Sequence, residues 1–302
     1  MTSRRRITAA IVTAAALLLV AAVVLKWRDN RQFADPALQL SRFPVEDAIV
    51  VSMDFSAIRS AGLLGPSKAP LEPEYKQFLD TSGFDYRRDL DHVLASISKS
   101  GNYFLVTGRF NWNRLSDYAR QQGGSCYQSL CRMPGSTPQR RISFLPLRED
   151  TMALAVSTDD LAASRLTKTG NPVKAQLPSA PVWLSMPGAA LRQEGAMPNG
   201  MRLMLSALTS ADRIDMTMGP SSAGVEARLD ATCRNSEDAG VLASQLRNTA
   251  RTIRDGIAGK TLAQDDEFAR MLATGTFEQK GSRVSGKWDM PKALLESLTT
   301  GL

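Results

Sequence analysis

The residues able to carry chemistry are scattered along the chain. Ser96-Ile97-Ser98-Lys99 fits S-x-x-K, Ser116-Asp117 begins an S-D-N-like pair, and Lys168-Thr169-Gly170 fits K-T-G. In that order they are the pattern of a serine acyl-transfer site, where serine and lysine sit one turn apart at a helix start. Ser96 and Lys99 instead fall at a predicted strand end and turn, and the spacings are short for such a site. The match reads as coincidence. His92 is the single histidine, so any Ser/His/Asp triad must be built around it. Between Asp91 and Val93, at a predicted helix-to-strand junction, it reads as a polar surface imidazole. Asp85, Asp89 and Asp91 are oxygen donors of the kind calcium takes, but Arg87 and Arg88 between them favour a solvated charged face. Asp265, Asp266 and Glu267 suit a helix start. No G-x-S-x-G, Walker or dinucleotide glycine pattern is present. The sequence therefore predicts no catalytic, cofactor-binding or metal-binding residue. Arg247, Arg251 and Arg254 fall at i, i+4 and i+7 of a predicted helix, one stripe about 100° from its apolar face. They are available to an anionic partner or headgroup, with a solvated basic face as the plainer reading.

The cysteines divide into a pair and a single residue. Cys126 and Cys131 enclose four residues of a polar stretch, a spacing that allows a small disulfide-closed loop in an oxidising compartment, with two free thiols as the alternative. Cys233 ends the alternation Val225, Ala227, Leu229, Ala231, Cys233, which places it on the apolar face of a strand as a buried thiol.

The compartment is argued from the first residues. Ile7–Leu25 is nineteen residues without a charge, just long enough as a helix to cross a bilayer core. Arg4, Arg5 and Arg6 precede it, and Lys26, Trp27 and Arg28 follow, with the ring and the basic stems suited to the interface. No A-x-A site closes the run, so an uncleaved anchor is expected; cleavage after Ala22 is the alternative. A short tail before the span and a long body after it favour a cytoplasmic tail and a body outside, in a periplasm-like space. The net charge of +7 belongs mostly to this region: residues 1–31 hold six Lys/Arg and one Asp, leaving +2 on the body. A nucleic-acid groove needs clustered basic surface, and none is evident, so no nucleic-acid partner is expected.

The elements that would position these residues form an α+β body. Apolar residues make up 43% and charged residues 22% of the chain, enough for a packed core. Residues 1–28 are read as tail and transmembrane signal-anchor, 29–47 as a tether, 48–175 as a first module and 176–302 as a second. Each module shows the order strand, helix, helix, hairpin, long helix, hairpin, helix, and VSMDFSAIRSAG (51–62) aligns with LSMPGAALRQEG (184–195). The expected fold class is thus α+β: an N-terminal transmembrane helix, then two similar tandem modules of antiparallel hairpins with packed helices. Asn235 is expected to cap the longest helix, with Leu242, Leu246, Ala250, Ile253 and Ile257 on one face. Thr158 is expected to cap another, and Gly219-Pro220-Ser221 to turn a hairpin. Asp289 is expected to cap a final helix with Pro291 in its first turn.

The stretch FLDTSGFDYRRDL (78–90), followed by a hairpin, resembles a family of membrane-anchored bacterial envelope proteins of unknown function. In these a helix runs into T-G-[FI]-D-x-x-x-D-L and then a strand pair. Gly83, Phe84, Asp85, Asp89 and Leu90 match; Asp91-His92-Val93-Leu94 stands where the family has an apolar P-W-L-G-like run. LAQDDEFARML (262–272) is similar to a second, weaker family segment. The resemblance implies an anchored, non-cytoplasmic, duplicated α+β protein and no reaction. Physically, Gly83 suits a tight helix exit, Asp85 and Asp89 suit capping of backbone N–H groups, and Phe84 and Leu90 suit inward packing. The expected function is that of a periplasm-facing binding or scaffold module without catalysis, held in the bilayer by residues 7–25 and engaging an envelope protein partner. The alternative is an envelope enzyme or lipid-handling protein whose site is assembled from Asp and Ser residues only in the fold.

Overall fold

The computed structural model describes residues 35–64, 72–171, 177–192, 207–221, 224–259 and 267–290, without the side chains of 267 and 268. The anchor at Ile7–Leu25, the final helix after Asp289 and all but the end of the helix expected at Met201–Leu208 lie outside these residues. Among the described residues, no helix is long and apolar enough to cross a membrane.

The chain divides into two compact units, Met1–Phe43 with Lys168–Leu177, and Pro44–Thr167 with Pro178–Leu302. In the smaller unit, the stretch read as a tether contains a helix, α1 (Pro36–Leu40). Asp35 caps it by accepting from the Ala37 N–H at 2.9 Å, and Pro36 stands where a helix's first N–H has no partner to lose. The Gly170 N–H donates to the Ser41 carbonyl, an approach so close that a Cβ at Gly170 would lie 2.8 Å from that oxygen.

The larger unit is built on one twelve-stranded sheet in which every neighbouring pair is antiparallel. Its strands are β1 (Ile49–Asp54), β2 (Leu90–Ser98), β3 (Gly101–Gly108), β4 (Ser125–Tyr127), β5 (Leu130–Pro134) and β6 (Arg141–Arg148). They continue with β7 (Thr151–Ser157), β8 (Val182–Pro187), β9 (Arg213–Ser221), β10 (Gly224–Thr232), β11 (Thr276–Lys280) and β12 (Arg283–Met290). The order across the sheet is β11-β12-β10-β9-β8-β1-β2-β3-β7-β6-β5-β4. β1 and β8 meet at the centre, with Val51 opposite Leu184, so the strands on both sides of the Lys168–Pro181 loop share one sheet.

Register decides what each face carries. On one face, Ile214, Ala227, Leu229, Ala231, Val284, Trp288 and Phe277 point at two helices, α6 (Ser236–Ala258) and α7 (Glu267–Ala273). The α6 residues Leu242, Leu246, Ala250 and Ile253 are buried there at the helical spacing predicted for them, and Ile257 packs at their margin. The Asn235 side chain accepts from the Asp238 N–H at 2.8 Å, the expected cap. On the same face of the other half, Phe144, Met152 and Cys131 pack against Leu115 and Ala119 of α5 (Trp112–Gln121), itself packed on α3 (Pro73–Ser82). The opposite face differs between halves. Beside β7 it is apolar, with Tyr103, Leu105, Ala153 and Ala155 buried and a 3-10 helix (Ala162–Thr167) packed on β6 and β7. Beside β10 it is charged: Glu226 pairs with Arg228 and Lys287, Arg213 with Asp215, and Ser285 donates to Asp230.

Three local expectations are corrected. The stretch around the cysteines is no loop but the β4–β5 hairpin, because Cys131 and Met133 alternate inward onto the α5 core while Gln128 and Ser129 turn with positive φ. After β7 it is Asp159, not Thr158, that organises the chain: its side chain accepts from the Leu161 N–H at 2.9 Å, and a 3-10 helix follows. Gly219-Pro220-Ser221 is strand, not turn, since β8 ends its pairing at Met218 and leaves Pro220 with no ladder bond to miss on that side.

Candidate functional site

Five strand ends converge at one end of the sheet's centre. Met53 of β1 pairs with Val182 of β8, Val182 with Met218 of β9, Pro220 with Val225 of β10, and Val225 with Met290 of β12. Helix α2 (Phe55–Ser60) leaves β1 at that same end, capped by Asp54, whose side chain accepts from the Ala57 N–H at 2.8 Å. Between them lies a groove of about 390 Å³. Its walls are Ala57, Ile58, Ala61 and Leu63 on the helical side, and Pro181, Val182, Met218, Gly219, Pro220, Gly224, Val225 and Met290 on the strand side. Among the described residues, no side chain in this lining can ionise or donate a hydrogen bond. The volume falls within the roughly 300–1,000 Å³ usual for small-molecule sites. Such a surface can bury an apolar group.

A polar pair lies on the other sheet face, on β1 and its neighbour β2. Ser52 Oγ and His92 Nε2 are 2.9 Å apart, and Asp54 stands directly opposite His92 in the β1–β2 register. Burial holds the imidazole below its usual pKa, opposed by the Asp54 carboxylate. The polar surface imidazole expected from sequence is thus corrected to a half-buried, hydrogen-bonded one, because β2 starts at Leu90 and carries His92 into the sheet. All three members of a Ser/His/Asp set are close, but Ser52 is only 5% exposed and Asp54 is engaged in capping α2.

The family-like segment folds as a connector. Gly83 ends α3 in the left-handed conformation at φ 70°, with its N–H on the Leu79 carbonyl. Asp85 caps the one-turn α4 (Tyr86–Asp89) by accepting from the Arg87 N–H at 3.0 Å, and Asp89 returns to accept from the Asp85 N–H at 3.0 Å. Asp89 is buried and also receives Arg88 and Arg109, and the Arg88 guanidinium above all holds its carboxyl below the usual range. Leu90 is buried, and Phe84 stacks on Phe110 at 5.2 Å between centroids. Burial, with Asp85 beside it, pushes the Tyr75 phenol up to about 12. Asp91 pairs with Arg59 instead, so the three aspartates considered for calcium do not converge. Among the described residues, no group of three or more His, Cys, Asp or Glu is placed to hold a metal.

The other predicted residues are spread apart. Cys126 and Cys131 are disulfide-bonded directly across β4 and β5. Cys233 is a buried free thiol, which burial first, then Asp238 and Asp212, push to a raised pKa. Arg247 donates to the Phe277 carbonyl, Arg254 to the Ala273 carbonyl and Arg251 to Asn248, so two of the three stripe residues tie α6 to the chain that follows it. Ser96 donates to the Pro44 carbonyl at 2.6 Å from a fully buried position on β2, away from any helix start. Sequence reasoning missed the groove and the Ser52–His92 pair. Their available signals were Ser52-x-Asp54 on one strand face, and the Gly219-Pro220 and Gly224 punctuation on the strand side of the groove.

These features define an antiparallel α+β protein with α5, α6 and α7 packed on one sheet face and an apolar groove where the central strands end. No family model matches the chain, and no curated protein matches it. Among solved structures it is similar to crystal form I of TP0453, with a TM-score of 0.48 at 9% identity over 88% of this chain and 97% of that one. Crystal form III of TP0453 gives a TM-score of 0.48 at 10% identity over 89% and 98%, and form IV 0.45 at 10% over 88% and 96%.

Proposed function

We propose that this chain is a single-pass envelope protein, tethered by Ile7–Leu25, whose periplasm-facing body is a non-catalytic binding or scaffold module. The observation that carries the reading is the groove's lining: its twelve described residues can bury an apolar group, and none of them can do acid–base work. The Cys126–Cys131 disulfide agrees with an oxidising compartment. The body is two similar modules: reading outward from the centre, β1-β2-β3-β7-β6 on one side answers β8-β9-β10-β12-β11 on the other, which supports the duplication inferred from element order. The resemblance of residues 78–90 to anchored envelope proteins points the same way.

A second reading, an envelope hydrolase, is favoured by Ser52 Oγ lying 2.9 Å from His92 Nε2. Its partners are those of a buried structural bond, and the groove is the better candidate. The two readings separate in one titration. The uncharged fluorophore N-phenylnaphthylamine is expected to bind the body saturably at one site, and Ala61→Trp, which fills the groove, to abolish that binding. Binding untouched by Ala61→Trp, or covalent labelling of Ser52 by a fluorophosphonate, would overturn the groove reading.

A further inference from the structure

We infer that the charged sheet face of β9, β10, β12 and β11 docks on the same face of a second copy of this chain, with the strands of the two copies antiparallel. The face lies across the sheet from the groove and is independent of it. Register sorts its charges into rows that run across the strands. Glu226 stands opposite Asp289, and in the next row Arg228 stands opposite Lys287. The third row holds Asp230 opposite Asp215, with Glu278 opposite Ser285 at its end. The fourth holds Arg213, Arg283 and Lys280. The rows thus read acidic, basic, acidic, basic, about 7 Å apart. Like charges directly opposite one another destabilise a sheet, and each of these rows contains such a pair. Ion pairs within the chain run between rows, from Glu226 to Arg228 and Lys287 and from Asp215 to Arg213. In the other half of the sheet a 3-10 helix packs on this face, whereas here Arg228, Asp230, Glu278, Arg283, Lys287 and Asp289 are exposed.

The alternation selects the partner. A twofold axis lying along the rows turns the strands end for end and brings each acidic row onto a basic row of the second copy. An axis along the strands would lay each row on itself and bring like charges together. In the first arrangement β10 lies over β10 and β12 over β12. Arg228 then meets Asp230 of the second copy, and Asp289 meets its Arg283. Four strands and four rows make a patch of roughly 500 Å². That is below the roughly 800 Å² each partner buries in a stable complex, so the association is weak and set by charge.

The test uses the full chain in a nonionic detergent, with Cys233→Ala and the native disulfide intact, and reads the covalent dimer formed by a short bis-maleimide. Ser285→Cys, beside the axis, is expected to give dimer at about 50 mM salt and to lose it at about 1 M. Val241→Cys, exposed on α6 at the other sheet face, is expected to give none. Asp289→Lys and Arg283→Glu, each added to Ser285→Cys, should each lower the yield roughly fivefold. An equal mixture of the two should recover it, because both contacts between positions 283 and 289 are then of opposite charge. Both positions are exposed, and recovery in the mixture excludes misfolding as the cause of the loss. No dimer at Ser285→Cys, or as much at Val241→Cys, would overturn the inference and leave the face to water or to a different partner. A yield untouched by either reversal, or a loss that the mixture does not recover, would overturn it equally.

Discussion

Asp89 shows how much of the connector between α3 and β2 hangs on one carboxylate. It accepts a backbone N–H and two guanidiniums while buried, so its charged form is favoured in the fold. A carboxyl held below its ordinary value of 3.8 stabilises the fold fully above that pH, and the stabilisation is lost as pH falls through the lower folded value. Asp89→Asn is therefore expected to cost about 1–2 kcal/mol at neutral pH, the arginines being largely exposed. It should also flatten the acid limb of urea stability measured against pH. An unchanged acid limb would mean that Asp89 is not the group responsible. The capping role of this residue was legible in the sequence, because the Asp85 N–H that it accepts from lies within about one turn. The Ser52–His92 bond was not, because it joins residues forty positions apart through a register that only the folded sheet fixes.

Helix α6 holds one half of the sheet's core in place. Its leucines and alanines recur at the helical period, so both its existence and its buried face were readable from sequence. Leu246 is fully buried there, and Leu246→Ala is expected to destabilise the body by about 2–5 kcal/mol in denaturant unfolding. A cost below 1 kcal/mol would mean that the α6–sheet contact is loose. The hairpins β2–β3 and β11–β12 were equally legible from alternation and turn residues. The β4–β5 hairpin was not, because its turn uses Gln128 and Ser129 at positive φ, residues that do not announce such a turn. The groove was illegible for a different reason: α2 with the residues after it, the Pro181–Val182 approach and the ends of β9 and β10 contribute two to four apolar residues each and β12 only Met290, and no single segment carries a pattern.

The whole molecule joins an apolar N-terminal run, a body with one closed disulfide and a groove suited to an apolar partner. The proposed binding role depends on the body standing where such partners are, outside the cytoplasm. Cys126 and Cys131 report that placement, since Cys233 is buried in the folded body. Intact cells are treated with a membrane-impermeant maleimide, with and without prior mild reduction. Labelling at the Cys126–Cys131 pair only after reduction is the predicted result. Labelling that needs lysis and no reductant would put the body in the cytoplasm with free thiols, and would contradict the anchor, the disulfide and the envelope function together.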